Sequence, residues 1–211
     1  MNINVAREEI CRLGRSLFDR GYTHGSSGNI SVRIDDGTFL VTPTESSLGQ
    51  LDPAGLTVIS AQGSVIDGPK PTKELPLHDA LYRTRRSARA IVHLHSTHSV
   101  AVSMLPGIDP ADALPPLTAY YLMKVGRTAL LPYFRPGDPK VAHAIEQLDG
   151  KYSAVLLANH GPVVAGSTLS NAANAIEELE NTARLYLLVG HSQPKLIGHE
   201  ESALLRNGLD E

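Results

Sequence analysis

The stretch Ala90-Ile91-Val92-His93-Leu94-His95-Ser96 constrains this chain more than any other. It reads as a buried strand that ends in metal ligands. Side chains alternate along a strand, so Ile91, His93 and His95 share one face while Ala90, Val92 and Leu94 share the other. Two residues of strand rise separate the histidines by about 6.6 Å, and both imidazoles can then converge on one ion at roughly 2.0–2.1 Å each. A divalent cation such as zinc needs at least one more protein ligand, and an open position if it is to do chemistry. The rest of the chain has to fold so as to supply them.

A second apolar run, Ser153-Ala154-Val155-Leu156-Leu157-Ala158, has the same character. It also leads into a histidine, in Asn159-His160-Gly161-Pro162. His160 is therefore the candidate third imidazole. A lone histidine on an apolar strand is more often a satisfied core residue than a ligand. Two buried strands that each deliver histidine near their end are harder to explain that way.

With 211 residues, of which 42% are apolar, the chain can bury a real core, and one domain over residues 1–211 is expected. Its 22 acidic and 19 basic residues leave a formal charge of −3, which gives no electrostatic case for nucleic acid or an anionic membrane. The single cysteine, Cys11, cannot form an internal disulfide, and the N-terminal residues lack a signal-peptide core. No apolar run approaches the roughly 20 residues of a membrane span. A cytoplasmic location is expected.

Ala6, Ile10, Leu13 and Leu17 fall at helical spacing and predict a helix over about 4–20, ended by Gly21. Two polar, hydroxyl-bearing loops follow, His24 to Asn29 and Thr42 to Ser47, set in an antiparallel meander. Its strands are Ile30–Ile34, Thr38–Thr42, Leu56–Ile59 and Ser64–Ile66, with Asp35-Asp36-Gly37 as a hairpin turn. Glycine in the first loop lets backbone N–H groups approach an anion. Lys70 to Glu74 opens another helix, with Thr72 as its expected cap and Pro76 in the first turn. Thr72 and Lys73 at a helix N-terminus would suit a phosphate. Further helices are predicted from Ser96 or Thr97 to about Leu105, from Pro139 to Leu148 behind Asp138, from about Thr168 to Val189, and from His199 to Leu209. Ala129 to Pro132 reads as a strand, and the segment around Thr118 to Tyr121 is left unassigned.

Taken together, Ser27-Gly28-Asn29, Thr42-Pro43-Thr44, Thr72-Lys73-Glu74, His93-Leu94-His95 and Asn159-His160-Gly161 resemble the class II aldolase/adducin family, in the family's order and over nearly the whole chain. Within that family the chain is most similar to the branch that decarboxylates 3-oxo-tetronate 4-phosphates, through Lys70 to Glu74, Leu157 to Pro162 and Arg135 to Asp138. The resemblance implies an α/β fold, a three-layer α/β/α sandwich around a central, mainly antiparallel sheet. It implies a homotetramer with active sites at subunit interfaces. His93, His95 and His160 match zinc ligands, one ion per subunit, although manganese or cobalt would suit the same donors. Glu74 matches the catalytic acid/base, which also ligates the metal when substrate is absent. Gly28, Asn29, Thr44, Glu45, Thr72 and Lys73 match the phosphate pocket. Tyr120 aligns with a catalytic tyrosine supplied to a neighbouring subunit.

The reaction implied is decarboxylation of a phosphorylated sugar acid, 3-oxo-tetronate 4-phosphate, to dihydroxyacetone phosphate and CO2 through a metal-stabilised enediolate. A sugar-phosphate aldolase of the fuculose or rhamnulose phosphate type would use the same electron sink and is the alternative. A non-catalytic adducin-like interaction domain is the remote one, because it predicts eroded ligands. Two positions depart from the aldolase pattern. Glu45 stands where the aldolases tend to have glycine, and its side chain is expected to point outward. Lys73 replaces a small residue. The remaining histidines, including His24, His78, His98, His143, His191 and His199, are expected to be structural or on the surface, His98 being the one nearest the pocket.

Overall fold

The computed structural model describes residues 2–35, 37–190 and 192–206. Among the described residues eight strands form one sheet: β1 (Asn29–Arg33), β2 (Thr38–Val41), β3 (Thr57–Ser60), β4 (Val65–Asp67), β5 (Ala90–His93), β6 (Thr128–Leu131), β7 (Ala154–Leu157) and β8 (Gly161–Gly166). Their order across the sheet is β4-β3-β2-β1-β5-β8-β7-β6. Every neighbouring pair is antiparallel except β6 and β7. The helices are α1 (Ile3–Asp19), α2 (Leu75–Thr84), α3 (Thr97–Ser103), α4 (Ala119–Lys124), α5 (Lys140–Glu146), α6 (Leu169–Val189) and α7 (His199–Arg206).

The alternation of β5 sorts its side chains into two cores. Ala90, Val92 and Leu94 join the larger one, which takes Ala6, Ile10 and Leu17 from α1, Val102 from α3, Tyr121 and Leu122 from α4, and the buried stripe of α6. Ile91 belongs to the smaller core on the opposite face, with Leu77 and Leu81 of α2 and Val141 and Ile145 of α5. Helices thus cover both faces, and the sandwich has three layers. The same alternation sends the His93 ring toward the α2 side.

The meander is as expected, and its hairpin turn is closed by the Asp35 carboxylate accepting the Gly37 N–H; Asp36 lies outside the described residues. One strand has no counterpart in the sequence reading. Gly161-Pro162 looks like a turn, yet both residues begin β8, which lies between β5 and β7. Proline is tolerated there because it is only the second residue of the strand, and its carbonyl still accepts the Leu94 N–H. The unassigned segment is α4, capped by Thr118. Two expected caps are corrected. Glu74, not Thr72, occupies the cap position of α2, while the Thr72 hydroxyl accepts the Glu74 N–H just ahead of the helix. Ser96 occupies the cap position of α3, but its hydroxyl donates to the Tyr22 carbonyl. The buried Glu180 carboxylate of α6 caps α3 instead, accepting the N–H groups of His98 and Ser99 at 2.9 and 2.8 Å and the Ser99 hydroxyl at 2.6 Å. The last helix is described to Arg206; residues 207–209 of the expected span, and His191, lie outside the described residues. No helix among the described residues is long and apolar enough to cross a membrane.

Candidate metal centre and adjoining cleft

The site lies at one end of the sheet, where β1 and β8 begin and β2, β5 and β7 end. His93 is the last residue of β5, and Asn29 stands opposite it on β1. His160 sits in the tight turn from β7 to β8. Asn159 adopts a left-handed conformation there (φ 56°), which asparagine tolerates. Gly161 follows at φ 148°, and a Cβ on it would collide with the Leu94 carbonyl. The turn can therefore approach the end of β5 only with glycine at this position, and that approach brings His160 to His95. The strand pairing extends past β2: Thr72 N–H donates to the Thr42 carbonyl, and Thr44 N–H to the Lys70 carbonyl. This places Glu74, at the head of α2, beside the histidines.

Glu74, His93, His95 and His160 each direct one ligand atom to a common point, all four atoms lying within 4.8 Å of one another. The His160 Nε2 is 3.3 Å from His93 Nε2 and 3.1 Å from His95 Nε2. The Glu74 oxygens lie 3.4 Å from His93 Nε2 and 3.2 Å from His160 Nε2. Tetrahedral ligands at roughly 2.0–2.1 Å from one ion are about 3.3 Å apart, so these spacings fit a four-coordinate divalent cation. The donor set agrees. His93 Nδ1 donates to the Pro162 carbonyl at 2.9 Å, which leaves the Nε2 lone pair facing inward. Burial pushes His93 below the ordinary histidine range, and it pushes His95 down to about 3 with the help of the two neighbouring rings. Neutral imidazole is the form that binds metals. Burial works against ionisation of Glu74, but the His93 and His160 rings and the Asn29 amide outweigh it and hold the carboxyl well below the usual carboxylate range. Three ring nitrogens and a carboxylate gathered this closely repel one another unless a proton or a cation lies among them.

A cleft of about 230 Å³ adjoins this centre, lined by Ser26, Gly28, Asn29, Thr44, Glu45, Thr72, Lys73, Glu74 and His95, among others. All six residues expected at a phosphate pocket line it. Asn29 and Thr72 are buried, whereas Glu45 and Lys73 are exposed. Glu45 adopts a left-handed conformation (φ 59°) that favours glycine, matching the residue that the aldolases tend to have there. The Thr72 hydroxyl accepts from Glu74 and keeps its own proton for a ligand. Tyr120 does not line this cleft; it stands on α4 with 65% of its surface exposed.

Of the two places expected for His78, structural or on the surface, the fold gives it the first. It is buried, and its Nε2 lies 2.6 Å from the Asn29 carboxamide oxygen. No spacing in the sequence links positions 29 and 78; only the packing of α2 over β1 does. His98 is structural as well, meeting Glu180 through Nδ1 at 2.7 Å, and although it is the histidine expected beside the pocket it does not line the cleft.

Residues 8–187 match the family model described as the class II aldolase and adducin N-terminal domain. A 3-oxo-tetronate 4-phosphate decarboxylase of Cupriavidus necator is 54% identical over 181 residues, covering 86% of this chain and 83% of the relative. The crystal structure of YgbL from Klebsiella pneumoniae superposes with a TM-score of 0.94 at 46% identity, covering 98% of this chain and all of that one. An L-fuculose 1-phosphate aldolase superposes with a TM-score of 0.82 at 27% identity, over 97% and 96% of the two chains.

Proposed function

The chain belongs to the class II aldolase and adducin family, and we propose that it decarboxylates a 3-oxo-tetronate 4-phosphate to dihydroxyacetone phosphate and CO2. The observation that carries this reading is the 54% identity with a protein named for that decarboxylation, against 36% with an L-fuculose phosphate aldolase of Methanocaldococcus jannaschii over the same share of this chain. The reaction breaks the C1–C2 bond, with a ketone at C3 to receive the electron pair that CO2 leaves behind. His93, His95 and His160 would hold a divalent cation, zinc in our reading, with Glu74 as a fourth ligand until substrate arrives. When bound there, the cation supplies the Lewis acidity that draws the developing charge off C2.

The protein's own groups do the rest. Glu74, ionised in the ligand-free site, takes a proton from solvent and delivers it to C2. The Asn29 carboxamide and the Thr44 and Thr72 hydroxyls, with the backbone at Gly28, Glu45 and Lys73, hold the phosphate at the far end of the cleft. A carboxylate at Glu45 would repel that phosphate if it faced inward; its exposed side chain supports a role for its backbone alone. Lys73 adds positive charge at the cleft mouth. Tyr120, exposed on α4, serves a neighbouring subunit of a cytoplasmic homotetramer as a second proton donor.

The test is direct. The metal-loaded protein is incubated with 3-oxo-tetronate 4-phosphates of erythro and threo origin, and separately with L-fuculose 1-phosphate. CO2 and dihydroxyacetone phosphate are expected from one of the former. Aldehyde release from the sugar phosphate, with no CO2 from either acid, would replace the decarboxylase reading with the aldolase one.

A further inference from the structure

A buried line of side chains runs from Glu74 away from the cleft. Asn29 Nδ2 lies 2.8 Å from Glu74 Oε2, Asn29 Oδ1 lies 2.6 Å from His78 Nε2, His78 Nδ1 lies 2.6 Å from Ser31 Oγ, and Ser31 Oγ lies 3.0 Å from the Tyr82 hydroxyl. All five residues are buried. Their order in space follows from the pleat. Asn29 and Ser31 are two apart on β1 and share a face, and His78 and Tyr82 are one helical turn apart on α2, which packs over that face.

The direction of every bond in this line is fixed from one end. An ionised carboxylate only accepts, so the Asn29 nitrogen faces Glu74. The Asn29 oxygen then faces His78 and needs a donor, which requires the proton on His78 Nε2. His78 Nδ1 is left with a lone pair, so the Ser31 hydroxyl donates to it and accepts in turn from Tyr82. Burial pushes His78 down to about 3, which keeps the ring neutral and a single tautomer sufficient. A carboxamide does not pass protons along, so the line orients groups and does not conduct.

We propose that His78 is a positioning residue: by holding the Asn29 oxygen away from the site, it makes Asn29 a pure donor toward the Glu74 carboxylate and toward the anionic end of the substrate. One N–H of the Asn29 nitrogen is used on Glu74, and the second remains for the cleft that Asn29 lines. Without His78 only the ionised Glu74 orients the amide, and whenever Glu74 carries its proton the amide is free to turn over, which sets its oxygen against the phosphate. The orienting part stands on the hydrogen-bond geometry alone; the catalytic part rests on the decarboxylase reading.

Two measurements test it, and they fail separately. Nitrogen-15 NMR of histidine-labelled protein, without substrate, reads the tautomer directly. The Nε2-protonated form is expected at His78, and an Nδ1-protonated ring overturns the proposal whether or not the protein decarboxylates anything. Kinetics of His78→Leu and His78→Gln are then compared at equal metal content. The leucine variant is expected to lose about 100-fold in kcat/KM, near the upper end for a residue that acts through another. Glutamine, which can still donate to Asn29, is expected to stay within about tenfold of the parent. A leucine variant as active as the parent, or a folded, metal-bearing glutamine variant no better than leucine, overturns the proposal. If the leucine variant does not fold, the tautomer and the glutamine variant decide the matter.

Discussion

Asn29 stands directly opposite His93 in the antiparallel register of β1 and β5. Residues so paired project from the same face of a sheet, so the carboxamide and the imidazole leave it side by side. Glu74 reaches both, at 2.8 Å from Asn29 Nδ2 and 3.4 Å from His93 Nε2. One register pair thereby joins the candidate metal centre to the cleft, and under the proposed function it sets a substrate-binding group beside a metal ligand.

Loss of a ring should remove metal and activity together. His95→Ala and His160→Ala each take away one of three ring nitrogens that lie, with a Glu74 oxygen, within 4.8 Å of one another. Affinity for zinc is expected to fall by more than the roughly 10–100-fold seen when only an outer partner of a ligand is removed. Elemental analysis of the purified variants, alongside the CO2 assay, checks this. A variant with a full metal complement would show that the rings do not share an ion.

Glu74→Gln separates charge from shape. The amide keeps the size of the side chain but neither shuttles a proton nor offers Asn29 a charged acceptor. Turnover is expected to drop by roughly 10²–10⁴-fold, with the fold retained. Circular dichroism and steady-state rates at saturating substrate are the measurements. Unimpaired turnover would assign the proton transfer to another residue.

Acid should destabilise the metal-free protein through its buried histidines. His78 and His95 each fall from an ordinary 6.5 to about 3 in the fold, burial being the main cause. Between those values the unfolded chain binds protons that the folded chain refuses, so stability rises with pH across the window and is lost as pH falls through it. Glu74, depressed in the fold, acts in the same sense below its ordinary 4.5. His78 alone is expected to remove about 2 kcal/mol between pH 8 and pH 5. Urea denaturation of chelator-treated protein across that range reads the slope, and stability that held level or rose on acidification would contradict it.

Glu180 supports the centre from a distance. Its carboxylate accepts from two backbone N–H groups and one hydroxyl at the start of α3, directly after the His93–His95 segment. Glu180→Gln turns an N–H2 group toward those donors and leaves at least one buried group unpaired. A loss of about 2–3 kcal/mol is expected in thermal or urea melts. A melt indistinguishable from the parent's would mean that the helix start is satisfied by other means.

The three histidines were legible because period and flanking residues carry them, whereas Glu74 was reached only through the family resemblance. His93 and His95 fall two apart on an apolar strand, and His160 ends another. The meander, the long α6 helix and the polar loops that line the cleft follow from local pattern in the same way. Strand β8 was not legible, since Gly161-Pro162 reads as a turn and only the pairing with β5 and β7 makes it a strand.

By itself the sequence determined which residue types were available to hold a cation and on which kinds of element they would ride, because hydrophobic period and turn chemistry act over a few neighbours. Only the tertiary structure decided that His78 would meet Asn29 and that Glu180 would cap α3. Those bonds join residues 49 and about 80 positions apart. They form because helices must bury their apolar faces on the sheet, and the side chains that this burial traps have to satisfy one another.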